Sequence, residues 1–471
     1  MSRAARLWTR IGQDFLPFAD AATTELPLSR LLRLSLFQVS VGLAMVLLNA
    51  TLNRVMIVEL KISATLVGLL VALPLLFAPL RALIGHKSDT HRSILGWKRV
   101  PYLWFGTLLQ FAGLAIMPFA LLVMTGEGTS GPLPGEIFGA VAFLMVGAGV
   151  AMTQTAGLAL ANDLAPAAVR PRVVSLLYVM LLVGMLLSSL VLGRTLTDFT
   201  PTHLIQVIQG TAAVTMLLNL VALWKQEPRS RPSAQAAEDD GRFADRWADL
   251  MRQPSARRLL TAVGLGAAGF GMQDILLEPY GGQVLGLNVG QTTALTALSS
   301  MGTLLGLALA ARALAAGRDP ARLAGYGALA GIAAFAMVVF SAPLQSVPLF
   351  CAGVMLIGFG NGLFAVCTLT AAMALGEGLG SGLALGAWGS VQATAAGLGV
   401  LASGAIRDGI GAMATAGTLG PGLADPSTGY SIVWHIEIGL LFVSLVALGP
   451  LARRSLDVTG RARFGLAEFP T

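Results

Sequence analysis

Apolar residues run in long blocks along nearly the whole chain, interrupted by short polar breaks. The blocks lie near residues 31 to 56, 62 to 84, 101 to 124, 136 to 161, 173 to 195 and 203 to 224. A second set follows near 257 to 280, 290 to 314, 321 to 341, 346 to 372, 379 to 405 and 430 to 452. Each is close to the roughly 20 residues a helix needs to cross hydrocarbon, whereas a membrane β-barrel shows short alternating segments. The pattern predicts an all-α integral membrane protein of twelve transmembrane helices in two six-helix bundles, 31–224 and 257–452. A 225–256 linker containing Pro228, Pro232, Glu238, Asp239 and Asp240 joins them, and a 453–471 tail follows. The first block begins only after 30 residues and has no small-residue cleavage pattern behind it, so it reads as a retained span.

The halves repeat faintly. At one constant offset Val41-Gly42-Leu43 falls on Val263-Gly264-Leu265, Val67-Gly68 on Val289-Gly290, and Ala72-Leu73 on Ala294-Leu295. This predicts a duplicated unit related by an axis along the membrane normal, as in the major facilitator fold.

Charge then orients the bundle. Only 12% of residues are charged, against roughly 25% in soluble domains, which excludes a water-soluble core. The formal charge is +7, but the basic residues alternate with spans instead of clustering on one domain, so orientation explains them better than nucleic acid does. With the N-terminus placed in the cytoplasm, only Arg54, Lys61, Arg194 and Arg407 of the 31 lysines and arginines fall on the far side. That bias predicts both termini inside. In the 1–30 lead, Trp8, Ile11, Phe15 and Phe18 recur at helical spacing beside Arg3, Arg6 and Arg10, an amphipathic segment for anionic lipid or a docking partner.

Little remains that carries chemistry. Cys351 and Cys367 share one span, about 24 Å apart along a helix, and cannot pair. No Cys/His cluster suggests a metal, and no nucleophile, base and oxyanion set or phosphate loop suggests an enzyme. The loop between the second and third spans holds Gly85, Asp89 and Arg92, then Gly96, Lys98 and Arg99. It resembles the major facilitator signature of glycine, acid and basic cluster, with the basic pair spaced farther on.

In the seventh span Gln273, Asp274, Glu278 and Tyr280 precede Gly281-Gly282. Two acids four residues apart inside a span are expensive and mark a functional candidate. The repeat sets Arg54 opposite Leu276, between these acids, which predicts an ion pair from Arg54 to Asp274 or Glu278. Gly42, Asn49 and Asn53 form one stripe of the first span, read equally as packing glue or ligand contact. Gly358, Gly360 and Gly362, and Gly382, Gly386 and Gly389, read as packing surfaces, with Gln392 a weaker cavity candidate. Among four histidines only His435 falls inside a span. Such a residue is more often packed than a ligand, although an imidazole can hold a chlorophyll magnesium.

Four blocks spread over both halves carry a more specific resemblance: Thr51 to Leu60, Gly96 to Phe105, Arg170 to Val179 and Asp274 to Gly282. They are similar to the bacteriochlorophyll delivery family, the LhaA/PucC-type light-harvesting assembly proteins of purple bacteria. The leads Leu16-Pro17-Phe18-Ala19-Asp20 and Leu26 to Leu31 look more like the LhaA type, which is associated with the core antenna around the reaction centre, than the PucC type of the peripheral antenna. The resemblance implies an assembly factor in the inner, intracytoplasmic membrane. Its partners would be antenna polypeptides, the reaction centre, and bacteriochlorophyll or its synthesis machinery. Asn49, Asn53 and the acidic turn of the seventh span would face the pigment. The competing class is a secondary transporter of a small amphipathic molecule, coupled to protons through Asp274 or Glu278.

Overall fold

Hydrocarbon offers a peptide group no hydrogen-bond partner, so each stretch of chain crossing it must close its own backbone bonds as helix. The computed structural model describes residues 26–76, 97, 99–124, 133–166, 169–227, 250–376, 381–425 and 427–454. Among these, eleven helices are long and apolar enough to span: Leu28–Glu59, Val100–Met124, Leu133–Leu164, Arg172–Thr195, Pro201–Leu223, Pro254–Gln283, Val289–Ala315, Pro320–Ser341, Val347–Ala374, Ala384–Thr415 and Thr428–Ala452. A twelfth, Ala64–Leu76, runs to the edge of the described residues. Counted along the chain it is the second span, giving the expected twelve.

Helix starts follow from local chemistry. First-turn amide protons lack intrahelical partners, and proline at that position removes one. Pro201, Pro254 and Pro320 occupy it in the sixth, seventh and ninth spans. Thr200 Oγ1 accepts from the His203 amide at 3.1 Å. Asn288 and Gln291 form a reciprocal capping box at the start of the eighth span, at 2.7 and 3.0 Å.

The helices pack as two copies of one unit. In the first half the third span packs on the fourth, the first on the fifth and sixth, and the third on the sixth. In the second half the ninth packs on the tenth, the seventh on the eleventh and twelfth, and the ninth on the twelfth. Each pairing maps onto its partner by a shift of six helices. Across the halves the second span packs on the eleventh and the fifth on the eighth, which the same shift exchanges.

Small residues set these approaches. A Cβ on Gly362 would lie 2.7 Å from the Thr303 carbonyl oxygen of the eighth span, and one on Gly360 2.7 Å from the Gly327 carbonyl oxygen of the ninth. That glycine stripe packs on two neighbours at once, as its sequence suggests. Gly386 and Gly389 depart from expectation: a Cβ on either meets nothing within 4 Å, because no described neighbour packs against that face of the eleventh span.

The contact between the halves is tight where Gly193 of the fifth span meets the eighth, a Cβ there lying 2.8 Å from the Gly290 carbonyl oxygen. Leucine at such a contact costs about 1–3 kcal/mol of overpacking. Gly193→Leu will therefore lower the melting temperature of the full chain in detergent, whereas Gly386→Leu, with open space to fill, will leave it unchanged.

Candidate functional site

Two spans abandon α geometry where the halves meet. The first is α-helical over Leu36–Val46 and then widens into π turns over Leu47–Leu52 and Val55–Glu59. The seventh is α-helical over Pro254–Gly271, tightens to a 3-10 turn over Met272–Ile275, and resumes at Leu277–Gln283. The seventh span, expected near 257 to 280, thus carries a break inside it. Pro279 has no amide proton for the Ile275 carbonyl, and that residue marks the break. Both irregular stretches lie toward the face opposite the central linker, called the far side below.

Asn53, with no exposed surface, ties the two breaks together. Its Nδ2 donates to the Asn49 carbonyl of its own helix and, at 3.0 Å, to the Asp274 carbonyl of the seventh span. Thr51 and Thr293 share a hydroxyl bond at 3.4 Å, and Ser189 donates to the Thr293 carbonyl at 2.7 Å. Near the end of this seam Asp408 Oδ2 accepts from the Thr65 amide at 2.7 Å and its hydroxyl at 2.8 Å, capping the second span from the eleventh. Arg407 pairs with Asp408 at 2.8 Å, donates to Gln283 Oε1 at 2.6 Å and lies over the Tyr430 ring at 4.8 Å.

Arg54 does not make the predicted ion pair. It pairs with Glu59 and donates from the other guanidinium nitrogen to the Leu287 carbonyl at 3.2 Å. A wide π turn brings residues five apart onto one face, so the base meets an acid of its own helix and Asn53 faces the seventh span instead. Gly282 has no Cβ for this reason: one there would stand 3.0 Å from the Arg54 guanidinium.

Three acids gather behind Asn53. Glu278, 6% exposed, accepts from Thr296 Oγ1 at 3.2 Å through one oxygen, and its other oxygen has no partner. It sits inside the bundle and not among headgroups. Asp274, partly exposed, accepts from the Gln273 amide group and lies within electrostatic reach of Glu278 and of Glu437. Glu437, on the twelfth span, is fully buried with neither oxygen bonded. None of the three carboxylates has an ion-pair partner among the described residues. The set is a buried polar cluster poised for a proton, a cation or a hydrogen-bond donor. Glu437 escaped the sequence reading, although the signal that marks Asp274, an acid within an apolar run, is equally present at Ile436-Glu437-Ile438.

Other expected site residues lie elsewhere. Tyr280 is in the C-terminal packing core, 1% exposed. Its hydroxyl reaches the Val338 carbonyl and Ser341 Oγ at 3.2 Å, and its ring packs among Phe350, Tyr430 and Trp434. Gly42 packs on the fifth span, a Cβ lying 2.8 Å from the Leu181 carbonyl oxygen. Asn49, Gln273 and Gln392 stay partly exposed. Of the loop signature, Arg99 binds Asp163 at 2.9 Å, and Glu227 accepts from the Arg99 and Val100 amides at the start of the third span. Gly85, Asp89, Arg92, Gly96 and Lys98 lie outside the described residues, as do Trp8, Ile11, Phe15 and Phe18.

The corrected pairing sets a measurable contrast. In a double-mutant cycle read by thermal unfolding, Arg54→Gln and Glu59→Gln will couple by about 0.5–3 kcal/mol, while Arg54→Gln and Glu278→Gln will add independently.

Comparison with known proteins now places this architecture. The PUCC protein family matches residues 51–456. An uncharacterised protein of the puhA-bchM intergenic region in Rhodobacter capsulatus is 53% identical over 479 residues, covering 100% of both chains. Protein PucC of Rhodovulum sulfidophilum is 57% identical over 406 residues, covering 85% of this chain and 89% of its own. Among solved structures, a bacterial homologue of the human lysosomal transporter Spinster, inward-facing and unoccupied, superposes with a TM-score of 0.68 at 16% identity. That alignment covers 94% of this chain and 98% of the other, and shows a major facilitator fold. With the family matching most of the chain and a relative 57% identical over 406 residues, this twelve-helix membrane bundle in two matched halves belongs to the PUCC protein family.

Proposed function

We propose that the chain is an assembly factor for a photosynthetic light-harvesting antenna. It handles bacteriochlorophyll and antenna polypeptides in the inner, intracytoplasmic membrane, with both termini cytoplasmic. The observation that carries this reading is family membership at 53–57% identity over most of the chain, together with the resemblance of Thr51 to Leu60 and Asp274 to Gly282 to bacteriochlorophyll delivery proteins. Orientation rests on the charge bias. The core antenna around the reaction centre is the preferred client on the strength of the N-terminal lead, whose Trp8, Ile11, Phe15 and Phe18 would hold lipid or a partner. This role assigns the chain no catalytic step.

Bacteriochlorophyll is a broad, largely apolar macrocycle, and the polar cluster fits it poorly. Asn53, Arg54, Glu278 and Tyr280 are all at most 6% exposed and leave no face for a ring. In this reading Asn53, Asn49, Gln273 and the acids seal the far side between the halves. Pigment is met from the lipid.

One observation favours a second reading. Buried carboxylates with oxygens left unbonded, one at Glu278 and both at Glu437, beside Asp274, are what a proton-coupled transporter of a small amphipathic molecule would place in its bundle.

Gentle purification of the tagged full chain from phototrophic membranes, followed by near-infrared absorption and mass spectrometry of its companions, separates the two. The assembly reading predicts bound bacteriochlorophyll and co-purifying antenna subunits, with core subunits outnumbering peripheral ones. A colourless protein without antenna subunits, which in liposomes drives a pH-dependent flux lost in Glu437→Gln, would overturn it in favour of transport.

A further inference from the structure

The twelfth span, Thr428–Arg454, has two contrasting faces. Tyr430, Val433, Trp434, Glu437, Leu441 and Ser444 point into the bundle and are buried. On the opposite stripe Ile432, His435, Gly439, Phe442, Val443 and Val446 are exposed, Phe442 at 59% and Val446 at 62%. The stripe follows the period of an α-helix and faces away from the neighbouring spans, so it meets lipid. Every member of it but one is apolar or glycine. His435 is therefore not the packed intramembrane histidine that sequence statistics favour.

Its protonation geometry is set by the backbone. The His435 Nδ1 atom stands 2.7 Å from the Ser431 carbonyl oxygen, one turn back. A carbonyl only accepts, so Nδ1 carries the proton and donates, leaving Nε2 with a bare lone pair. The residue lies about 10 Å along the helix from Thr428. A 27-residue helix overhangs a 30 Å hydrocarbon core by about 5 Å at each end, so His435 falls beneath the headgroup boundary. A lone pair held there, with no partner among the described residues, is costly unless an electron-pair acceptor or a hydrogen-bond donor reaches it. Beside it Gly439 keeps the surface flat: a Cβ there meets nothing within 4 Å.

We propose that His435 is the axial ligand for a magnesium tetrapyrrole that docks on the lipid-facing surface of the twelfth span. This deepens the assembly reading and rests on it for the identity of the ring. The chemistry selects such a ligand independently: a metal inside a planar apolar chelate keeps an axial position open. A neutral imidazole whose other nitrogen is fixed by a backbone carbonyl is a ready donor for it. A phospholipid headgroup offers a hydrogen-bond donor at most and no metal with an open axial position, and the ring reaches the site without crossing the sealed seam of the halves.

The test uses the full chain in lipid nanodiscs, titrated with bacteriochlorophyll a and with bacteriopheophytin a, the same macrocycle without its metal, and read by absorption. The wild type is expected to bind the metallated ring roughly tenfold or more tighter than the metal-free one. His435→Leu should erase that preference while the protein stays monodisperse with an unchanged melting temperature. His435→Gly should regain the coordinated spectrum when free imidazole is added, which separates a lost ligand from a lost fold. Equal binding of the two rings by the wild type, or an undiminished preference in His435→Leu, would overturn the proposal. Such a failure alongside co-purifying antenna subunits would leave the assembly reading standing. A His435-dependent preference without antenna companions would remove that reading and keep the site.

Discussion

The structure depends on one shared donor: two membrane helices, broken at equivalent places, are tied by the side chain of Asn53. A π turn in the first span and a 3-10 turn before Pro279 in the seventh both upset the regular backbone ladder in a medium that supplies no water. Asn53 answers both, donating to the Asn49 carbonyl on its own helix and the Asp274 carbonyl across the seam. Single interhelical bonds of this kind contribute on average about 0.6 kcal/mol. Here the bond also fixes register, because Arg54 then clears the seventh span to meet Glu59 and brace the Leu287 turn.

From that register the rest of the far side follows. Thr51, Ser189 and Thr293 knit the first, fifth and eighth spans, and Asp408 caps the second span from the eleventh. Every one of these ties crosses between the two halves, so the seam acts as one joint. Glu278 and Glu437 remain behind it with unpartnered oxygens, separated from the lipid-facing stripe of the twelfth span by the thickness of that helix. One helix thus presents a buried acid to the bundle interior and an imidazole to lipid. The buried acids and the lipid-facing stripe share no residues.

Much of the fold was legible because lipid imposes long apolar runs, and proline and capping residues mark their ends. The repeat between halves was legible at Val41-Gly42-Leu43 and Val263-Gly264-Leu265, and the packing confirms it helix by helix. The site was legible only in part. Asp274 and Glu278 stood out as acids in a span, but the repeat that set Arg54 opposite Leu276 carries no sign of the π turn over Val55–Glu59, which brings Glu59 round to Arg54 on its own helix. That is why Arg54 was matched to the wrong acid. Gly386 and Gly389 show the complementary limit, since a small-residue stripe looks the same whether a neighbour covers it or not. His435 could be placed in the membrane from sequence, but whether it faced protein or lipid depended on the rotation of the twelfth span, which only packing decides.

Deleting this chain from a phototrophic host and recording the near-infrared spectrum of its membranes tests the assembly role most directly. The account predicts that antenna absorption falls sharply while pigment synthesis continues, and that the wild-type chain restores it. Antenna absorption at the parental level in the deletion strain would contradict the account.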